Sequence, residues 1–417
     1  MDSADRRAAP RALPAFAGVG IEIEYMIVDA ATLDVRPLAG EFLAALAGRR
    51  TADVAIGPIG WSNELVKHVV ELKNLAPDRD LARLDGLFAG AVRTADAALA
   101  SHGARLMPGG MHPWMAPAHE TALWDDGDDT VYRSYDRLFG CAQHGFANLQ
   151  SMHVNLPFAG DDEFARLHAA VRCVLPLIPA LAASSPIAEG RIQGSLDHRL
   201  EAYRVNQARV ASITGAVVPE RASSRREYEQ CILAPMYRDI AELDPAGTLQ
   251  HEWLNSRGAI ARFDRSALEI RLADTQECPA ADLAVAQAIV LVTRALYEER
   301  FAPSAALDLP TERLAALLRS SMRDADRTLV DDAAYLALFG LPARPTRFGE
   351  LWSHCIAATA DATHAWCHDA WRAILDHGPL ARRILTALDG DTSRPSLHAV
   401  YRSLCECLAH DRPFVPR

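Results

Sequence analysis

The chain of 417 residues has no Cys-x-x-Cys pair. Its eight cysteines, Cys141, Cys173, Cys231, Cys278, Cys355, Cys367, Cys405 and Cys407, are scattered, which argues against a disulfide framework and for reduced thiols. The cluster His354-Cys355, His364 and Cys367-His368 fits no zinc spacing well and reads as helix residues, some buried. Basic charge is also scarce: 43 Lys and Arg stand against 54 Asp and Glu, a formal net charge of −11. That balance disfavours sequence-independent nucleic-acid binding, which needs a clustered basic surface. Met1 to Pro14 lacks an apolar core of signal-peptide length, and no later run reads as long enough to span a bilayer; Leu283 to Leu296 is apolar but short, with flanking charges. The expectation is a cytoplasmic protein that meets neither membrane nor nucleic acid, with a disordered arm over residues 1–15.

The familiar phosphate and nucleophile signatures are missing as well. There is no Gly-x-x-x-x-Gly-Lys-Ser/Thr loop and no Gly-x-Ser-x-Gly elbow. Gly18 and Gly20 precede a strand pattern instead of following one, so they make no dinucleotide fingerprint.

What is present is a set of acids inside strand-like segments. In Gly20-Ile21-Glu22-Ile23-Glu24-Tyr25, apolar and acidic residues alternate, which puts Glu22 and Glu24 on one face of a strand. Glu64 and Glu71 lie in the strand-like stretch Ile56 to Lys73; His153 and Asn155 alternate in Met152 to Leu156; Glu269 and Arg271 alternate in Leu268 to Leu272. If these segments are neighbours, one sheet face carries five carboxylates, an imidazole and an amide. Each pair alone reads equally well as cross-strand salt bridging. Their recurrence favours a hard divalent cation, since unpaired buried charges cost several kcal/mol each, roughly, and Mg²⁺ takes carboxylate and phosphate oxygens. The tract Asp125 to Asp129 reads as a solvated acidic loop tip.

Strand patterns with interspersed helices come first, and from Ala280 onward the pattern is almost wholly helical. The order predicts an α+β fold with a mainly antiparallel sheet, flanking helices and a helical C-terminal region, in which Trp352, Trp366 and Trp371 read as core. Acid-bearing strands disfavour a doubly wound parallel sheet.

In their order and spacing, Gly20 to Glu24, Glu64 to Leu72, Gly110-Met111-His112-Pro113-Trp114, His153-Val154-Asn155, Ser184-Ser185-Pro186 and Glu269-Ile270-Arg271 resemble the glutamate–cysteine ligase family of the bacterial carboxylate–amine ligase type. The resemblance runs from about Phe16 to Leu296. It implies a glutamine synthetase-like catalytic fold, a curved antiparallel sheet holding ATP and two or three Mg²⁺ ions, with a catalytic domain over residues 16–296 and a helical region over 297–417 packed on it. It implies metal ligands at Glu22, Glu24, Glu64, Glu71, His153 and Glu269, and Arg271 with Glu269 at the transferring phosphate. Asn155, Lys73, His112, Arg191 and Arg199 become candidates for ATP or substrate contacts. The implied activity is ATP-dependent amide formation through an acyl phosphate, from a small carboxylate such as L-glutamate and an amine such as L-cysteine or another amino acid, by a protein compatible with a homo-oligomer. The sequence departs from the family at Met111, where a small hydroxyl residue is common, and at Ile192-Gln193-Gly194, where Asp-Thr-Gly is usual, in a loop expected to face the substrate. The alternatives are a phosphotransferase on a guanidino-kinase-like fold and an inactive nucleotide-binding regulator.

Overall fold

The computed structural model describes residues 12–127 and 129–416, so residues 1–11 of the expected N-terminal arm lie outside the described residues. Its centre is an eight-stranded sheet formed by β1 (Gly20–Asp29), β2 (Asp53–Ile56), β3 (Ile59–Asn63), β4 (Val69–Asn74), β5 (Ala104–Met107), β6 (Ser151–Pro157), β7 (Ala259–Arg262) and β8 (Ala267–Asp274). The order is β2-β3-β4-β1-β6-β8-β7, and β5 shares the edge of β1 that β6 occupies further along. Every pairing in it is antiparallel. The α+β class is as the sequence predicts.

Alternation sorts the strands' residues onto two faces. Ile21, Ile23, Tyr25, Val70, Leu72, Val154, Leu156, Leu268 and Ile270 enter one hydrophobic core with residues of three helices, Leu81–Ala100, Gly160–Val174 and Pro279–Tyr297. Asp80 starts the first of these, its side chain accepting from Ala82 N at 3.0 Å. The opposite face changes character along β1. Glu22 and Glu24 are followed at the same two-residue spacing by Met26 and Val28, which pack in a second core with the helices Leu380–Leu388 and Arg394–His410. The last helices therefore wall one end of the polar face.

Two helical stretches are longer than the apolar run Leu283 to Leu296, which the sequence offers as its nearest approach to a membrane span. Pro279–Tyr297 runs 19 residues and Gly160–Ala182 runs 23, each with a mean hydropathy of 1.4. Both are long and apolar enough to cross a membrane by length and composition, and both are largely buried within the protein as core helices. The chain beyond residue 297 contributes to the same core: Trp352 Nε1 donates to Leu177 O at 2.8 Å and Trp371 Nε1 to Ala284 O at 2.7 Å. His354, Cys355 and Cys367 are absorbed into this packing, His354 through a contact with Phe339 O, and the one metal-type cluster among the described residues lies elsewhere.

One contact between the Leu81–Ala100 helix and the C-terminal segment carries a pH signature. Asp85 is partly buried beside Asp411, and burial with that neighbouring carboxylate raises its pKa from 3.8 to about 6. A carboxyl whose pKa rises on folding binds protons preferentially in the folded state, so stability falls as pH rises from about 4 to about 6. Asp85→Asn removes that loss. It should stabilise the protein by about 1 kcal/mol at pH 7, after discounting for solvent screening, and by little at pH 4. Denaturant midpoints at the two pH values check this; an equal shift at both would contradict it.

Candidate active site

The register brings the predicted acids together. Glu22 on β1 lies between Lys73 on β4 and His153 on β6; Glu24 faces Glu71; Glu269 on β8 faces Asn155. A β-bulge follows Ile270, where β8 gains a residue relative to β6. Like charges directly opposite each other, as at Glu24 and Glu71, destabilise a bare sheet.

Glu64 departs from the expectation. It lies in the connection between β3 and β4, because the stretch read as one strand is broken by the turn at Gly57-Pro58 and by the segment after Asn63. It still lines the same cleft as Glu22, Glu24, Glu71, His153 and Glu269, a cleft of about 390 Å³.

Most of the carboxylates are balanced within the chain. His153 Nδ1 is 3.0 Å from Glu22 Oε2 and 3.9 Å from Glu269 Oε1, while Asn155 Nδ2 donates to Glu22 Oε1 at 3.3 Å. Ser151 N donates to Glu24 Oε2 at 2.7 Å. Lys73 Nζ donates to Glu71 Oε1 at 2.7 Å and to Ser62 Oγ at 2.8 Å. Glu269 is paired with Arg271, and with Arg262 at 3.2 Å. Glu64 alone among these six has no side-chain hydrogen bond or ion pair among the described residues; only its backbone oxygen is engaged, accepting from Asn63 Nδ2 at 3.1 Å.

The proton affinities follow. Burial pushes Glu64 up strongly, and the charges of Glu24 and Glu71 add to it. Glu71 is raised by burial and by Glu22, against the pull of Lys73. For Glu269, burial is outweighed by Arg271, His153 and Arg262, and its pKa falls to about 2. For Glu22, burial is outweighed by the hydrogen bond and charge of His153, and the net shift is down. His153 is raised in turn, its burial overcome by Glu22, Glu24 and Glu269.

These residues fit a hard divalent cation. One ligand atom each from Glu22, His153 and Glu269 lies within 4.8 Å of the others, and Glu64 offers an uncompensated carboxylate at the same cleft. They also fit an anionic group: Arg271 Nε is buried without a hydrogen-bond partner among the described residues, and Arg262 and Arg265 line the same space.

The other predicted contacts are dispersed. Lys73 lines the cleft. Arg199 also lines it, but is almost fully buried, with its guanidinium ion-paired to Asp274 and Nη2 donating to Leu272 O at 2.7 Å. Asp274 also accepts from Ser184 N and Ser185 Oγ, both at 2.7 Å, and packs so close that a Cβ at Gly110 would sit 2.5 Å from its Cγ. His112 is buried away from the cleft: Nε2 donates to Leu33 O at 2.8 Å while Nδ1 accepts from Met115 N at 3.0 Å. This fixes a neutral tautomer, with a pKa lowered to about 3 by burial. Met111 is also buried, and Arg191 with Ile192 forms the exposed half of a hairpin whose other half, Ile187–Ala188, is buried; none of these lines the cleft.

Sequence reasoning missed the covering side of the site. Tyr132 and Tyr135 come from the helix Thr130–Phe139, Tyr203 from the helix His198–Tyr203, and Trp253 from a short turn of helix. No local pattern distinguishes these aromatics from core residues. Arg262 lies just upstream of the alternating segment Leu268 to Leu272, and hairpin pairing with β8 brings it back to Glu269.

A family model described as glutamate–cysteine ligase family 2 matches residues 18–403. An uncharacterised protein of Archaeoglobus fulgidus is 37% identical over 311 residues, 75% of this chain and 81% of that protein. A protein of Bradyrhizobium sp. (strain ORS 278) named "Putative glutamate–cysteine ligase 2" is 29% identical over 64% of this chain, which spans 58% of that relative's length. Among solved structures, a glutamate–cysteine ligase from Francisella tularensis in complex with AMP superposes with a TM-score of 0.58 at 10% identity, over 93% of this chain and 88% of that one, a likeness of fold.

Proposed function

The chain belongs to glutamate–cysteine ligase family 2, and from that premise we propose that it is an ATP-dependent carboxylate–amine ligase. One observation carries this reading: five carboxylates and an imidazole face the same cleft as Arg262, Arg265 and Arg271. Such a surface suits a polyphosphate held through divalent cations, because each charge class then has its complement.

In this reading Glu22, Glu24, Glu64, Glu71, His153 and Glu269 would hold Mg²⁺, which when bound supplies charge neutralisation to the phosphates. Glu269 orients Arg271 toward the transferring phosphoryl group. A substrate carboxylate oxygen attacks the γ-phosphorus of ATP, the bond to the bridging oxygen breaks, and ADP leaves. The resulting acyl phosphate is attacked at carbon by the amine nitrogen; phosphate leaves with the bonding pair and the nitrogen gives up a proton. Phosphorylation is needed because a free carboxylate has no adequate leaving group. The chain's own contribution is positioning and charge. The catalytic unit spans residues 16–296 and the helical remainder supports it.

Product analysis tests this. With Mg²⁺-ATP and paired carboxylate and amine substrates, a ligase yields equimolar ADP, inorganic phosphate and amide. ADP with a stable phosphorylated product and no phosphate would establish the phosphotransferase alternative instead.

A further inference from the structure

The cleft does not end at the carboxylates. Tyr132, Tyr135 and Trp253 line it on one side and on the other line a second, larger chamber of about 970 Å³. Trp124, Val131 and Asn63 complete the chamber's main walls. It lies beside the β2–β3 end of the sheet, where Thr51 and Ala52 precede β2 and Asn63 closes β3. Its lining cation, Arg50, is paired to Asp126 at 2.9 Å. Arg262 and Arg265 belong to the β7–β8 hairpin at the opposite end of the sheet.

The trough is therefore polarised. One end offers arginines, the middle carboxylates, and the other end aromatic rings with no unpaired cation among the described residues lining it. An anionic nucleotide is drawn to the arginine end. A group whose charge is positive and whose body is flat or apolar is drawn to the other, ring against Trp124, Trp253 and Tyr132, ammonium toward the carboxylates. Tyr132 hydroxyl accepts from Asn63 Nδ2 at 3.2 Å, and burial with the charges of Glu64 and Glu71 raises its pKa to about 12, so it stays a neutral phenol at the junction. A side chain as small as that of cysteine would leave most of this space to water.

We propose that this chamber is the acceptor subsite and that the amine it takes carries a bulky aromatic or apolar body. The proposal rests on the ligase reading for the word acceptor, but the binding it asserts does not need turnover.

Calorimetry on the full chain separates the two. Phenethylamine should bind at least tenfold more tightly than ethylamine, and cysteine should resemble ethylamine. Val131→Trp and Ala52→Trp, which narrow the chamber from two walls, should each weaken phenethylamine binding at least tenfold and leave Mg²⁺-ATP affinity within about twofold, which also shows that the fold is retained. Equal affinity for phenethylamine and ethylamine, or displacement of phenethylamine by adenosine, would overturn the assignment. Failure of Mg²⁺-ATP to bind while phenethylamine does would overturn the ligase reading and leave the chamber's preference standing.

Discussion

Glu269→Gln should lower ADP release by a factor of about 10² to 10³ and cost about 3 kcal/mol of folding stability. Both effects come from one feature. The Glu269 carboxylate is only 2% exposed and is shared by Arg271, Arg262 and His153. The isosteric amide keeps the shape, removes the charge and points a donor at two guanidinium groups. Arg271 then has no fixed counter-charge and no reason to keep its orientation toward the phosphoryl group. The stability loss has a pH dependence whose sign is fixed. The folded pKa of Glu269 is about 2 against an ordinary 4.5, so its stabilising contribution is present above about pH 4.5 and fades as pH falls toward 2. The difference in denaturant midpoint between wild type and variant should therefore be largest near neutrality and shrink on acidification. Turnover within a few-fold of wild type in a folded variant would remove Glu269 from the site.

The site was legible where chemistry rode on a strand. Glu22, Glu24, His153 and Glu269 could be assigned to one face because alternation has a period of two and the rest of each strand is apolar. Antiparallel registers then brought together segments more than a hundred residues apart. Glu64 lines the cleft from a loop and not from the strand that the sequence predicts, since a turn and a loop interrupt that stretch. Arginines were the weak point. Arg199 could be picked out as a cleft arginine, but nothing local to it announces Asp274, and Arg191 carries the same residue type on an exposed two-residue strand. The covering aromatics escaped altogether: a Tyr on a helix looks the same whether it faces a core or a cavity, and only the fold distinguishes the two.

Glu64→Gln should behave in the opposite way to Glu269→Gln when no divalent cation is supplied. Glu64 is partly buried, its carboxylate has no hydrogen bond or ion pair among the described residues, and it is repelled by Glu24 and Glu71. Its charge is a net cost to the folded protein, so the amide should raise stability in magnesium-free buffer, by about 1–2 kcal/mol for a group of this kind. The same carboxylate is what the proposed cation needs. For wild type, Mg²⁺-ATP at about a hundred times its dissociation constant should add about 2.7 kcal/mol; for Glu64→Gln most of that increment should vanish and ADP release should fall at least a hundredfold. Thermal melts with and without Mg²⁺-ATP read both effects in one experiment. The two variants thus separate acids already neutralised by the chain from the one held in reserve: removing the first weakens the resting fold, and removing the second strengthens the resting fold while disabling it. A Glu64→Gln protein that is less stable without magnesium, or that keeps the full magnesium increment, would show that this residue is part of the scaffold and that the cation is held elsewhere.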